Sequence, residues 1–139
     1  MVKLLPKASH TLTPEKKILV GVDALASIDP DILEDSYVYV HCQFPIHEPG
    51  MLVRIWKTTV LKDCHSSGQS QLIHAENISY APQWTLIPDT GTYSFLLIFS
   101  ALPKACTMFD LVEEIPQPGG FLVKNIARNK TDVYRITLA

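Results

Sequence analysis

Five histidines, three cysteines and a short run of acids are the side chains in this chain best suited to chemistry. His41-Cys42, Cys64-His65 and His74 offer the nitrogen and sulfur ligands that zinc takes. Structural zinc sites separate their paired ligands by two or more residues, whereas these pairs are adjacent. Neighbouring side chains in a strand point to opposite faces, so His41 and Cys42 are not placed to share one ion. The expectation is a core Cys42, exposed histidines and no metal. Cys64 with His65 or His74 also has the composition of a Cys–His hydrolase. Such a nucleophile needs a base within reach and an oxyanion site at a helix start or strand turn. The sequence supplies neither, so a cysteine-dependent enzyme ranks last among the functions considered. Asp110, Glu113 and Glu114 have the chemistry for acid–base work or calcium. Asp110 precedes Glu113 by three residues, so a strand sends the two to opposite faces, and the cluster reads as a solvated strand end. Arg54, Trp56 and Lys57 could form a cation–aromatic surface for a glycan or peptide. Trp56 shares its strand face with Leu52 and Arg54, which favours a rim or core role. No catalytic, cofactor-binding or metal residue is expected.

The elements that must position these residues are strands. With 139 residues one domain is the default, large enough to bury its core without a metal or disulfide. Hydrophobic residues make up 47% and charged residues 19%, a balance that excludes disorder. Net charge is −2, from 12 basic and 14 acidic residues. No basic surplus or stripe is visible, so nucleic acid is not an expected partner. No apolar run reaches the length of a membrane-spanning helix. The start, Met1-Val-Lys-Leu-Leu-Pro-Lys, lacks the apolar core of a secretory leader. The expected compartment is periplasm or cell envelope if a leader has been removed, and cytoplasm otherwise. Cys42, Cys64 and Cys106 are odd in number, which argues against a disulfide framework.

Residues 1–17, interrupted by Pro6 and Pro14, read as an irregular N-terminal arm. Residues 18–139 read as one β-sandwich domain. Eight runs have strand character: 18–27, 37–44, 51–61, 71–79, 93–99, 106–113, 121–126 and 131–138. In the second, Val38, Val40, Cys42 and Phe44 form the core side. From Phe95 to Phe99 both faces are apolar, which predicts a central strand covered on both sides. Residues 28–36 hold the turn signal Asp29-Pro30-Asp31. Residues 62–70 read as an exposed hairpin loop, and 80–91 as a long connection anchored by Trp84. Pro103-Lys104 breaks the chain after the central strand. Asn129-Lys130 is placed to be the tip of a last hairpin. Short strands at regular spacing without a long helix predict an all-β fold.

Five elements fall in the order of a known family. They are V-Y-V-H-C-Q-F from Val38, L-V-R-I-W-K-T-T-V-L from Leu52, H-A-E-N-I from His74, I-P-D-T-G-T-Y-S-F-L-L-I-F from Ile87, and L-P-K then F-D-L-V-E-E from Leu102 to Glu114. This order resembles an immunoglobulin-like domain of secreted Bacteroidetes proteins, often found beside thioredoxin-like or other catalytic modules. It covers roughly residues 37–126, about two thirds of the chain. Phe121 stands where those relatives usually carry a tryptophan, and the chain runs on to Ala139. No Cys-x-x-Cys is present, so redox function does not carry over. The matches Asn77-Ile78-Ser79 and Asn129-Lys130-Thr131 to the glycosylation pattern carry no weight beside a bacterial resemblance. The expectation is an all-β immunoglobulin-like β-sandwich of seven to nine mostly antiparallel strands. Its expected function is a non-catalytic binding or accessory module for a protein partner or for self-association, without a cofactor. The alternative is a glycan or small-molecule binder using loops at one end, with residues 45–50 and 62–70 as the expected functional loops.

Overall fold

Alternating apolar and polar residues become strands throughout the computed structural model, which describes residues 10–12, 37–87 and 91–138. In chain order the strands are β1 (His10–Leu12), β2 (Val38–Pro45), β3 (Leu52–Val53), β4 (Val60–Asp63) and β5 (Gln69–Glu76). They continue with β6 (Thr85–Leu86), β7 (Thr92–Phe99), β8 (Met108–Val112), β9 (Leu122–Ala127) and β10 (Val133–Leu138). The all-β, mostly antiparallel expectation holds. Eight strands form one sheet in the order β1-β10-β2-β7-β5-β4-β8-β9, and β3 pairs with β6 beside it. The expected strands at 18–27 and the turn at 28–36 lie outside the described residues. Within the expected arm, His10–Leu12 pairs antiparallel with β10. No helix among the described residues is long and apolar enough to cross a membrane.

The two layers of the fold are halves of one sheet that curls into a half-barrel. β5 makes the join. It pairs with β4 through Gln71, then with β7 from Leu72 onward, with a register shift between Leu72 and His74. A bulge of this kind bends a strand and increases its twist, turning the sheet back over its own core. Val40, Phe44, Phe95 and Leu97 face that core from one half, and Leu61, Phe109, Leu111, Val123 and Ile126 from the other. The Phe109 ring meets Tyr134 edge-on, with centroids 5.1 Å apart.

β7 is the strand buried on both faces, as its composition predicts. Phe95, Leu97 and Phe99 join the main core, while Leu96 and Ile98 pack with Tyr37, Tyr39 and Ile73 on the other side. Facing strands β2 and β7 pair along their whole length, from Val38 against Phe99 to Pro45 against Thr92.

Three expectations at the level of elements change. Residues 51–61 are not one strand. Thr59 turns both its backbone N–H (3.0 Å) and its hydroxyl (2.6 Å) onto the Trp56 carbonyl. That local bonding competes with a ladder and folds Lys57 and Thr58 into a turn between β3 and β4. The expected loop at 62–70 is shorter, because Lys62 and Asp63 end β4 and Gln69 and Ser70 begin β5. Its turn is held by Asp63, whose carboxylate accepts from the His65 N–H (3.0 Å) and the Ser66 hydroxyl (2.8 Å). Finally, β9 and β10 are not a hairpin. β9 pairs with β8, and β10 runs parallel to β2.

The connection between β9 and β10 is instead a cross-over fixed by side chains. Asn129 Oδ1 accepts from the N–H groups of Thr131 and Asp132. Arg128 meets both carboxylate oxygens of Asp132 at 3.1 and 3.0 Å. Its remaining nitrogen donates to the carbonyls of Pro103 and Cys106, so one guanidinium ties this connection to the break after β7.

Candidate functional site

The chemistry-bearing residues singled out from the sequence are dispersed by the fold. His41 and Cys42 point to opposite faces of β2, as expected. Cys42 is core, and burial pushes its thiol far above the ordinary range. His41 is half-buried rather than exposed, because Leu96 and Arg135 flank it on the paired strands. Burial first, then the Arg135 charge, holds its pKa below the usual histidine value. His65 is exposed in the β4–β5 turn, and His74, also half-buried, lies 2.8 Å from Glu76 on β5. Among the described residues, no group of three or more His, Cys, Asp or Glu side chains could hold a metal ion.

Cys64 sits against Asp110, its sulfur 3.3 Å from Oδ1, and has Asn125 at 3.9 Å. Desolvation and the neighbouring Asp110 push its thiol pKa up, the wrong direction for a nucleophile. The three thiols are free.

The acidic cluster is also divided, and only in part as expected. Asp110 is a structural acceptor, taking the Asn125 N–H at 2.8 Å across a register shift in the β8–β9 pair. Glu114 pairs with Lys62 at 2.7 Å. Glu113 is not solvated at all, with 3% of its surface exposed. The chain folds back over it: the Glu113 N–H donates to the Phe121 carbonyl at 2.9 Å. The turn needs Gly120, because a Cβ there would lie 2.3 Å from the Glu113 carbonyl oxygen.

Burial raises the Glu113 pKa above the ordinary carboxylate value, against the lowering effect of hydrogen bonds from backbone N–H groups of Trp56 and Phe121. An acid whose pKa is raised on folding stabilises the fold below its unfolded pKa and loses that contribution as pH rises through the folded value. Glu113→Gln is therefore expected to flatten this part of the pH profile. Its stability relative to the native chain should improve as pH rises from acid to neutral. Urea unfolding at a series of pH values measures this, and parallel profiles for the two proteins would refute it.

What the fold does bring together is a cation–aromatic corner at the small sheet. Val53 and Ile55 bury inward, which leaves Leu52, Arg54 and Trp56 on the outer side. Leu52 pairs with Leu86, and Ile55 bridges to Tyr80. The turn from Tyr80 to Gln83, closed by the Gln83 N–H on the Tyr80 carbonyl at 2.9 Å, contains a cis Ala81–Pro82 bond. It returns the chain so that Trp84 covers Arg54. The guanidinium carbon lies 3.9 Å from the Trp84 ring centroid and 5.4 Å from that of Trp56. Nη1 donates to the Pro82 carbonyl at 3.2 Å. Lys57, at the tip of the next turn, places its ammonium 5.1 Å from the Tyr80 ring. Leu86 stands beside this group 69% exposed, the most exposed large apolar side chain of the described residues.

Arg54, Trp56 and Lys57 were thus legible as a possible surface, and Trp56, expected in a rim or core role, is half-buried on it. Trp84 anchors its connection through a guanidinium rather than through the core. Tyr80 and Leu86 carried no sequence signal, because neither belongs to an alternating run. The loop at 45–50 presents exposed His47 and Glu48, but brings no second functional group to them.

Beyond Lys57 the surface dips into a groove of about 570 Å3. Val60, Leu72 and Ile115 give it apolar walls, and Lys57, Thr58, Gln71 and Glu114 surround them with polar groups. No protein-family model, curated protein or solved structure matches the chain.

Proposed function

We propose that this domain is a non-catalytic binding module that docks a protein partner on the corner formed by Arg54, Trp56, Tyr80, Trp84 and Leu86. The carrying observation is Leu86, left 69% exposed beside two tryptophans and an arginine already held in place. Aromatic residues and arginine are the side chains that dominate protein interfaces, especially when little side-chain entropy remains to be lost. Stacking on Trp84 and the bond to Pro82 fix Arg54 before any partner arrives.

An immunoglobulin-like accessory domain is consistent with this reading. Two layers around one core have a counterpart in such sandwiches. The small-ligand alternative attaches to a different place, the groove beyond Lys57.

The test is crosslinking with mass spectrometry in native extract, using the native chain and a Trp84→Ala, Leu86→Lys variant. Loss of a hot-spot tryptophan lowers affinity by about tenfold or more. A specific partner should therefore crosslink through residues 52–57 and 80–86 of the native chain and drop sharply with the variant. Equal capture by both, with circular dichroism showing both folded, would rule the surface out.

A further inference from the structure

We propose that the groove beside Lys57 is a binding site for a small carboxylate with an apolar body. The groove lies where the sheet meets two connections: Val60, Gln71 and Leu72 belong to β4 and β5, and Lys57, Thr58, Glu114 and Ile115 to the segments beside them. β5 stays with β4 only as far as Gln71 and then crosses to β7. The Leu72 N–H still reaches the Thr59 carbonyl at 3.3 Å, and this edge and the Lys57–Thr58 turn both line the cleft. The Thr58 hydroxyl donates to the Glu114 carbonyl, which fixes the segment holding Ile115 as the opposite wall. At about 570 Å3 the cleft has the size of small-molecule sites rather than of a protein interface.

Its chemistry is two-sided. Val60, Leu72 and Ile115 are apolar and half-buried, so an apolar body gains by covering them. Charge sets the polar end. The Glu114 carboxylate is neutralised by Lys62 at 2.7 Å. Lys57 has no carboxylate partner among the described residues, and its neighbour is the Tyr80 ring. The lining therefore carries one uncompensated positive charge, and an anionic group on the ligand complements it. The exposed Gln71 amide supplies a second donor on the same mouth. Glu114 is engaged by Lys62 and so offers a cationic ligand little, while Lys57 repels one. The site adjoins the partner surface and shares Lys57 with it, but Trp84 and Leu86 do not line the groove, and Val60 and Leu72 take no part in the aromatic corner.

Hexanoate is the probe, followed by amide chemical shifts in 15N-labelled full chain, with 1-hexanol as its uncharged counterpart. Hexanoate should give saturable shifts at Lys57, Thr58, Val60, Gln71, Leu72 and Ile115, and hexanol should bind more weakly there. Lys57→Gln should weaken hexanoate about fivefold, the upper worth of a solvent-exposed ion pair, and leave hexanol unchanged. Val60→Glu, at a half-buried groove position outside the core cluster, should abolish both. The proposal is overturned by shifts that do not saturate or that map elsewhere, by equal binding of the two probes, or by indifference to Lys57→Gln. Trp84→Ala should leave hexanoate binding intact, so loss of the protein partner and loss of this site are read separately.

Discussion

Replacing Arg128 by alanine is expected to lower the free energy of unfolding by about 3 kcal/mol, the low end of the range for breaking a buried ion pair from one side, because this pair is part-buried. The side chains of Arg128 and Asp132 are only 16% and 14% exposed, so solvent does little to compensate the carboxylate left behind. Two parallel N–H···O bonds are lost with the guanidinium, and the Pro103 and Cys106 carbonyls lose their donor. Asp132 is also at a positive φ of 53° and accepts from the Tyr134 hydroxyl at 2.9 Å, so the stranded charge sits at the entry to β10. Because β10 pairs parallel with β2, no tight hairpin holds its register, and this side-chain clamp must. Arg128→Lys keeps the charge but loses the planar fork, and should fall between the native chain and alanine. The double variant Arg128→Ala, Asp132→Ala should recover part of the loss, because it removes the unpaired carboxylate. Urea unfolding of the four proteins is the measurement. A loss under about 1 kcal/mol for Arg128→Ala, the size of a surface pair, would show that the clamp does not hold the connection.

The contrast between strands and connections explains what could be read in the sequence. β2 was legible because Val38, Val40, Cys42 and Phe44 alternate with polar residues, and all four bury. β7 was legible as two-sided because Leu96 and Ile98 break that alternation with apolar residues, and both bury on the second face. Partner choice was not legible. Nothing in the residues of β10 distinguishes a hairpin with β9 from a parallel pair with β2, since both bury Tyr134 and Ile136. Thr58 and Thr59 read as strand formers by propensity, yet Thr59 closes a turn with its side chain, a local competition that propensity averages away. The same turn makes the candidate site. It ends the run containing Arg54 and Trp56, swings Lys57 over Tyr80 and opens the groove beneath. Arg54 meets Trp84, thirty positions further along the chain, by way of the Tyr80–Gln83 turn, a long-range contact without a periodic signature. Glu113 is the clearest case of tertiary structure overriding local reading. An acid at a strand end is ordinarily solvated, but the return of the chain at Gly120 and Phe121 closes over this one.

Phe109→Ala should be at least as damaging as loss of the arginine clamp, by about 3 to 5 kcal/mol, the usual cost of removing a buried aromatic side chain. Phe109 is fully buried, the second residue of β8, and its ring meets Tyr134 of β10 edge-on at 5.1 Å. These strands belong to opposite halves of the sheet and share no ladder. The ring therefore fills space between two layers that are otherwise joined through β5. Collapse around the vacancy would require the halves to close on each other, which the β5 bend and the Arg128 clamp both oppose. A cavity that cannot close adds its own cost to the lost transfer energy. Phe109→Leu keeps most of the volume and should cost less than about 1.5 kcal/mol. Arg128 reaches the same region from the β9–β10 connection, so the double variant Phe109→Ala, Arg128→Ala should show coupling rather than simple addition. Urea unfolding again decides. Strict additivity would mean that the clamp and the interlayer ring act on separate parts of the fold, and a small effect of Phe109→Ala would mean that the two halves are held apart from their shared core.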